Sequence, residues 1–136
     1  MTIQQDLEQA VATLVESLVV GDGNAFKGSL SQPQVEGSTR FAAVRVVSGS
    51  AQRLDHGQTE WTDTIALTIY WRVPLIDRST RLTEWQAFAD GLLSDRLLGG
   101  LISGLQDAYL VAYTWGDALD AAFVTMTAQI QTQRVE

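Results

Sequence analysis

The chain has 136 residues, of which 16 are acidic and 9 are basic, and its formal net charge is −7. This length suits a single domain, residues 1–136, and the acidic balance argues against direct binding to nucleic acid or to an anionic membrane surface. The absence of cysteine excludes disulfides, thiolate zinc sites and a cysteine nucleophile. No apolar run approaches the roughly 20 residues of a membrane span, and Met1 to Glu16 carries no Lys or Arg, so we expect neither a transmembrane helix nor a signal peptide.

The first segment has the pattern of an amphipathic helix. Thr2 and Gln5 have the spacing of a capping box, and Gly21 is placed to end the helix. Apolar residues recur at helical spacing between these two signals: Ile3, Leu7, Ala10, Val11, Leu14 and Leu18. The following stretch, Gly21 to Ser38, is rich in Gly, Ser, Gln and Asn and predicts a long surface loop, with a short extended piece around Ala25 to Leu30.

Two strands follow and are predicted to form an antiparallel hairpin. The first covers Phe41 to Val47, where β-branched residues are common, and the second covers Thr64 to Val73, where apolar and polar residues alternate. The polar stretch between them predicts an extended hairpin tip. This tip carries Arg53, Leu54, Asp55, His56, Glu60 and Trp61.

The second half of the chain predicts one more helix and two closing strands. Thr83 and Gln86 have capping-box spacing at the start of a helix that runs to Leu98. Tyr109 to Trp115 reads as a strand with Tyr109, Val111, Tyr113 and Trp115 on one face, and Phe123 to Arg134 reads as the last strand. The acidic turn between them contains Asp117 and Asp120.

Together these elements predict an α+β fold in the order α-β-β-α-β-β. The sheet is expected to be antiparallel-rich, with about four to five strands and two helices packed on one face.

The chain offers no recognisable catalytic or metal-binding pattern, so we expect no enzymatic activity and no cofactor. Its single histidine, His56, lies in the polar hairpin tip, and no G-x-S-x-G motif is present. The run Gly21-Asp22-Gly23 follows a helix and lacks the third glycine of a dinucleotide-binding loop. Four potential metal ligands lie close in sequence without a known ligand spacing: Asp55, His56, Glu60 and Asp63.

The tryptophans divide into core and surface candidates. Trp71 and Trp85 lie on apolar stripes and are expected in the core, whereas Trp61 is harder to bury in one small domain. Exposed aromatic residues are enriched in protein interfaces. Candidate residues for contacts with other subunits or partners therefore lie in the hairpin and in the acidic turn: Arg53, Leu54, Asp55, His56, Trp61, Asp117 and Asp120.

The whole pattern resembles the tail terminator proteins of long-tailed bacteriophages, the tail-completion family of the minor tail protein U of phage lambda. The resemblance rests on an amphipathic helix directly after Met1, the hairpin Phe41–Val47 with Thr64–Val73, the helix Thr83–Leu98, and two closing strands around the turn Gly116-Asp117-Ala118-Leu119-Asp120. It covers nearly the full chain in length and element order, without an invariant motif.

This resemblance implies a structural role in virion assembly. Members of that family form a hexameric ring at the head-proximal end of the tail tube, stop tube polymerisation and present the head–tail joining surface. The implied partners are further copies of the chain, the tail tube protein and the head connector or neck protein, with DNA passing through the ring without specific binding. The implied location is the virion, after assembly in the host cytoplasm.

Two alternatives remain open at the level of the sequence. A head-completion or stopper protein of the neck would differ from a terminator in its partners. A small-molecule-binding α+β domain would instead need convergent titratable residues in a pocket.

Overall fold

A computed structural model describes residues 2–28, 39–73, 75–116 and 122–136. Helix α1 spans Ile3–Val15 and continues as a π-helical turn over Glu16–Val20. The predicted capping box is confirmed, because the Thr2 hydroxyl accepts a 3.1 Å hydrogen bond from the Gln5 amide and the Gln5 side chain accepts one of 2.9 Å from the Thr2 amide. The helical segment ends at Gly21, whose φ of 85° suits a residue without a Cβ.

Helix α2 spans Arg78–Ser94, so the predicted start at Thr83 is wrong. The helix begins earlier because the Asp77 carboxylate accepts a 2.8 Å hydrogen bond from the Thr80 amide and serves as its N-cap. It also ends before Leu98, which lies in a separate 3-10 turn, Leu98–Gly100. Neither described helix is long and apolar enough to cross a membrane.

The strands of the described residues form one five-stranded sheet, which confirms a mixed α+β fold at the upper end of the expected strand count. The strands are β1 (Ala25–Lys27), β2 (Arg40–Arg53), β3 (Thr59–Arg72), β4 (Leu105–Gly116) and β5 (Phe123–Val135). Their order across the sheet is β1-β2-β3-β5-β4, in which β1 pairs parallel to β2 and all other pairs are antiparallel. The expected element order lacked β1, which lies within the short extended piece predicted after Gly21.

The hairpin of β2 and β3 is longer than the sequence predicted. Each strand has 14 residues, or roughly 45 Å at the usual rise of a β-strand. Glu60 and Trp61 therefore belong to β3 and not to the tip. The C-terminal end of the chain supports the base of the tip, because Thr59 and Glu136 exchange two backbone hydrogen bonds of 2.8 and 3.1 Å.

One hydrophobic cluster joins both helices to the sheet. Its members from α1 and α2 include Leu7, Val11, Trp85 and Phe88, and they pack with the apolar side of the alternating strands: Val44, Ile65, Leu67, Ile69, Trp71, Met126, Ala128 and Ile130. Met126, Ala128 and Ile130 are thus the inward side chains of β5.

Strand β4 does not keep its aromatic residues on one face as predicted. Its register with β5 shifts between Leu110 and Ala112, so Val111 is an extra residue. Tyr109 pairs with Gln131, whereas Tyr113 pairs with Ala128 in the core. Because paired residues share a face, the bulge places Tyr109 and Tyr113 on opposite sides of the sheet.

Candidate interaction surface

The hairpin tip exposes most of the residues that the sequence singled out. Arg53, Asp55 and His56 are exposed, and Leu54 is half-buried. The Leu54 amide donates a 2.7 Å hydrogen bond to the Gln58 carbonyl, which closes the tip, and His56 adopts a left-handed φ of 68° within it. The tip is therefore an ordered, accessible end of the sheet. Asp117 and Asp120 lie outside the described residues.

Trp61 lies apart from this tip and belongs to a buried charged cluster with Asp63 and Arg134. Its indole is half-buried, and the guanidinium carbon of Arg134 lies 5.0 Å from the ring centroid. Asp63 is 4% exposed and Arg134 is 3% exposed. Charged side chains are seldom buried to this extent unless they are paired.

The pairing inside this charged cluster is incomplete. Arg134 Nε lies 3.7 Å from Asp63 Oδ2, too long for a hydrogen bond, while Arg134 Nη1 contacts the exposed Glu136 carboxylate. Three buried atoms have no hydrogen-bond partner among the described residues: Trp61 Nε1, Asp63 Oδ2 and Arg134 Nε. Burial raises the pKa of the Asp63 carboxyl more than the nearby Arg134 lowers it.

Sequence reasoning missed the partnership of Asp63 and Arg134. Strand alternation carried back from Ile65 puts Asp63 on the apolar side of β3, and alternation carried forward from Ile130 puts Arg134 on the apolar side of β5. A charged residue at each of these inward positions was the available signal. That the two positions meet depends on the β3–β5 register, which pairs Trp61 with Arg134.

An open pocket of about 490 Å³ lies beside the charged cluster. It is lined by Gln4 near the start of α1, by the outer part of β2 from Val46 to Ala51, and by Trp61 and Asp63. Gly49 lies opposite Asp63 in the hairpin, and a Cβ at this position would lie 2.5 Å from Asp63 Oδ1. A glycine there lets the carboxylate approach the β2 backbone.

Strand β4 presents a second surface with large exposed side chains. Val111 is 51% exposed, Tyr113 54% and Trp115 36%. The two aromatic rings are nevertheless anchored on one side, since Tyr113 lies 5.3 Å from the Trp85 ring and Trp115 lies 5.7 Å from the Trp71 ring. Anchored aromatic residues with a free side are typical of protein interfaces.

Another concave feature lies at the end of strand β4. A second pocket, of about 460 Å³, lies between the start of α2 and the end of β4, where it is lined by Arg78, Arg81 and Trp115. Arg81 is engaged there by a 2.7 Å bond to the Ile76 carbonyl. Over residues 2–28, 39–73, 75–116 and 122–136, no three His, Asp or Glu side chains come together as metal ligands.

Comparison with known proteins finds a solved chain with a similar fold. No protein-family model matches the sequence, and no curated protein matches it either. Among solved structures, the fold is similar to that of a chain described as "Virion of native gene transfer agent (GTA) particle". The match has a TM-score of 0.64 at 12% identity and covers 96% of this chain and 95% of that chain. The likeness therefore concerns the fold over nearly the full length of both chains.

Proposed function

We propose that this chain is a structural protein of a phage-like virion and, within it, the tail terminator. The single observation that carries the proposal is the likeness of fold to a chain of a gene transfer agent virion, which extends over 96% of this chain. A match of that extent leaves little of either chain outside the shared fold. The tail terminator resemblance of the sequence points to the same class of particle independently of this comparison.

In this proposal the chain forms a ring, a hexamer by analogy with the resembled family, on the last ring of the tail tube. The ring stops tube growth and presents a docking surface to the neck. The long hairpin with its exposed tip supports this role, because a small subunit needs elements that reach its neighbours. The tip residues Arg53, Asp55 and His56, together with Asp117 and Asp120, are the proposed contacts to other subunits or to the tube.

The proposed role is non-enzymatic, and DNA passes through the ring without specific binding. A formal charge of −7 on each copy supports this, because like charge keeps the DNA backbone from adhering to a channel wall. Reversal of acidic residues that line such a channel should slow DNA delivery. Unchanged delivery in those variants contradicts this part of the proposal.

Deletion of the gene in a strain that produces the particles tests the role. Loss of a terminator gives overlong tails in electron micrographs, and the wild-type gene supplied in trans restores their length. Tails of normal length detached from filled heads would instead identify a head-completion or stopper protein. Particles that remain intact and infective or transfer-competent without the gene would overturn a structural role altogether.

A further inference from the structure

Among the described residues, the outer edge of β4 from Ala108 onwards carries little of the usual protection of an edge strand. Strand β4 pairs with β5 on one side, and no described strand lies on its other side. From Ala108 to Gly116 it contains neither a charged residue nor a proline, and within this stretch its pairing with β5 is interrupted by the bulge at Val111. Natural edge strands usually carry charges or proline that prevent pairing with another chain. An uncharged edge with exposed aromatic residues is suited to pairing with a strand of another chain.

A second open edge lies at the other end of the strand order, along the half of β2 that leads to the hairpin tip. In the part of the chain that the structure describes, strand β1 pairs with Ala42, Ala43 and Val44, and the Glu8 carboxylate accepts a 2.9 Å hydrogen bond from the Val46 amide. Beyond that point no described strand flanks β2. The segment from Val47 to Gln52 is uncharged and consists mostly of small residues, and it begins at a bulge in the pairing of β2 with β3.

We propose that the β4 edge of one copy of this chain docks along the β2 segment Val47–Gln52 of the next copy and continues its sheet. Three successive antiparallel pairings separate β2 from β4, so the two strands run in opposite directions. A second copy set beside the first in the same orientation therefore brings β4 antiparallel to β2, the arrangement that an antiparallel ladder requires.

The two edges are complementary in size and in polarity. In a continued sheet the helix-bearing sides of both copies coincide. Within one copy the strand pairings place Tyr113 level with Val44 and Leu105 level with Ala51. The second copy is therefore displaced along the strands by about six residues, or roughly 20 Å, which brings Tyr113 and Trp115 to the pocket beside β2. Small residues border this pocket of about 490 Å³, and large aromatic residues occupy the β4 edge. Both edges are uncharged, over Val47 to Gln52 and over Ala108 to Gly116, so no charge is buried where they meet.

This docking uses two different surfaces of each copy, so it is a head-to-tail contact that closes into a ring when the rotation between copies permits. It rests on the proposed ring and deepens it by naming the surfaces that join the subunits. The tail-length experiment tests the terminator role and the docking experiment tests the contact between copies, so a negative result in one leaves the other proposal standing. Overlong tails without edge docking would leave the terminator role intact, and edge docking without a tail phenotype would leave the contact intact.

The test uses one variant for each edge. Ala51→Lys places a charge on the pocket side of the β2 edge, and Tyr113→Lys places one on the β4 edge. Leu93→Lys and Leu101→Lys are matched controls, because these leucines are 72% and 80% exposed and lie outside both edges. Masses are measured by light scattering and by native mass spectrometry, with circular dichroism to show that each variant is folded.

The wild-type chain and both controls are expected to form the same closed oligomer, and each edge variant alone is expected to be monomeric. An equal mixture of Ala51→Lys and Tyr113→Lys retains one intact pair of edges and is expected to give a one-to-one heterodimer and nothing larger. A homodimer of Ala51→Lys would show that β4 pairs with itself and would overturn the proposal. A wild-type chain that remains monomeric, or edge variants that assemble normally, would overturn it as well.

Engineered cysteines keep the test decisive if an edge variant fails to fold. The natural chain has no cysteine, so Ala51→Cys combined with Ala112→Cys, Tyr113→Cys or Thr114→Cys introduces one defined pair at a time. Cα atoms of residues opposite each other on neighbouring strands lie about 4.5–5.5 Å apart, within disulfide range. At least one pair is expected to give a ladder of covalent multimers on oxidation, and Ala51→Cys with Leu101→Cys none. Equal cross-linking of every pair, or of no pair, contradicts edge docking.

Discussion

The indole Nε1 of Trp71 donates a 2.8 Å hydrogen bond to the carboxylate of Glu84. Trp71 is fully buried in β3, and Glu84 belongs to α2, so this bond ties the helix to the middle of the sheet. The same carboxylate accepts from Arg40 Nε at 2.8 Å, which adds the first residue of β2. One side chain thus satisfies a buried donor and a half-buried cation.

Glu84→Ala is expected to lower the free energy of unfolding by about 2 kcal/mol, because it leaves the Trp71 N–H buried without an acceptor. Glu84→Gln keeps an acceptor for Trp71 and is expected to cost less. Gln86→Ala on the exposed side of the same helix is the control and should lie within about 0.5 kcal/mol of wild type. Urea unfolding measures all three, and equal losses for Glu84→Ala and Gln86→Ala would contradict the assigned role.

Elements with strong local periodicity were predictable from the sequence. The alternation from Ile65 onwards and from Val124 to Ile130 repeats over many residues, and each strand gives the signal alone. The start of α2 was missed because Thr83 and Gln86 imitate a capping box, while Asp77 provides the cap in the structure. The sequence predicted a short extended piece around strand β1, but three residues are too few to show a period that would assign it to the sheet.

The site was less predictable than the fold because it depends on register. A single extra residue at Val111 moves Tyr113 to the opposite side of the sheet from Tyr109, and nothing in the local sequence requires a bulge there. Asp63 and Arg134 approach each other only because β3 pairs with β5. The exposed tip at Asp55 and His56 was predictable, since polar residues and Gly57 mark a turn by themselves.

The backbone of Val135 lies so close to Gly104 that the methyl group of an alanine at position 104 is expected to lower stability strongly. Gly104 has a φ of 76°, and a Cβ there would overlap the carbonyl oxygen of Val135. Gly100 has a similar φ of 72° but open space around it. Gly100→Ala should therefore cost only the conformational strain, about 1–2 kcal/mol, while Gly104→Ala should cost clearly more. Equal melting temperatures for the two variants would show that β5 moves away from the new Cβ without a loss of stability.

Gly49 offers a test of how rigidly Asp63 is held. Replacement of a strand glycine by alanine stabilises by about 0.5–1 kcal/mol where space allows, through the lower entropy of the unfolded chain. At Gly49 the new Cβ would meet Asp63 Oδ1 at 2.5 Å and the Thr62 carbonyl oxygen at 3.3 Å. We therefore expect Gly49→Ala to destabilise by about 1–3 kcal/mol in urea unfolding, with Ser50→Ala as a near-neutral control. Stabilisation by Gly49→Ala would mean that the carboxylate moves freely.

The two carboxyls of Asp63 and Asp107 should give stability profiles of opposite slope against pH. Burial raises the pKa of Asp63 in the folded chain, so the folded state binds its proton more tightly than the unfolded state does. The free energy of unfolding should therefore fall as pH rises from the unfolded value of about 3.9 towards the raised pKa. Asp63→Asn removes this fall, which is measured as the difference between wild type and variant in urea unfolding across about pH 3 to 6.

Asp107 provides the opposite case in the same chain. Its hydrogen bonds of 2.8 and 2.6 Å from Arg96 lower the pKa of its carboxyl. The stability that this pair contributes is fully present above the unfolded value of about 3.9 and is lost as pH falls through the lowered pKa. On acidification, the free energy of unfolding of the wild-type chain should therefore fall relative to that of Asp107→Asn. Over the same change in pH, the free energy of unfolding of the wild-type chain should rise relative to that of Asp63→Asn. Parallel profiles for the two variants would contradict the assignment of Asp63 as a buried, incompletely paired carboxylate.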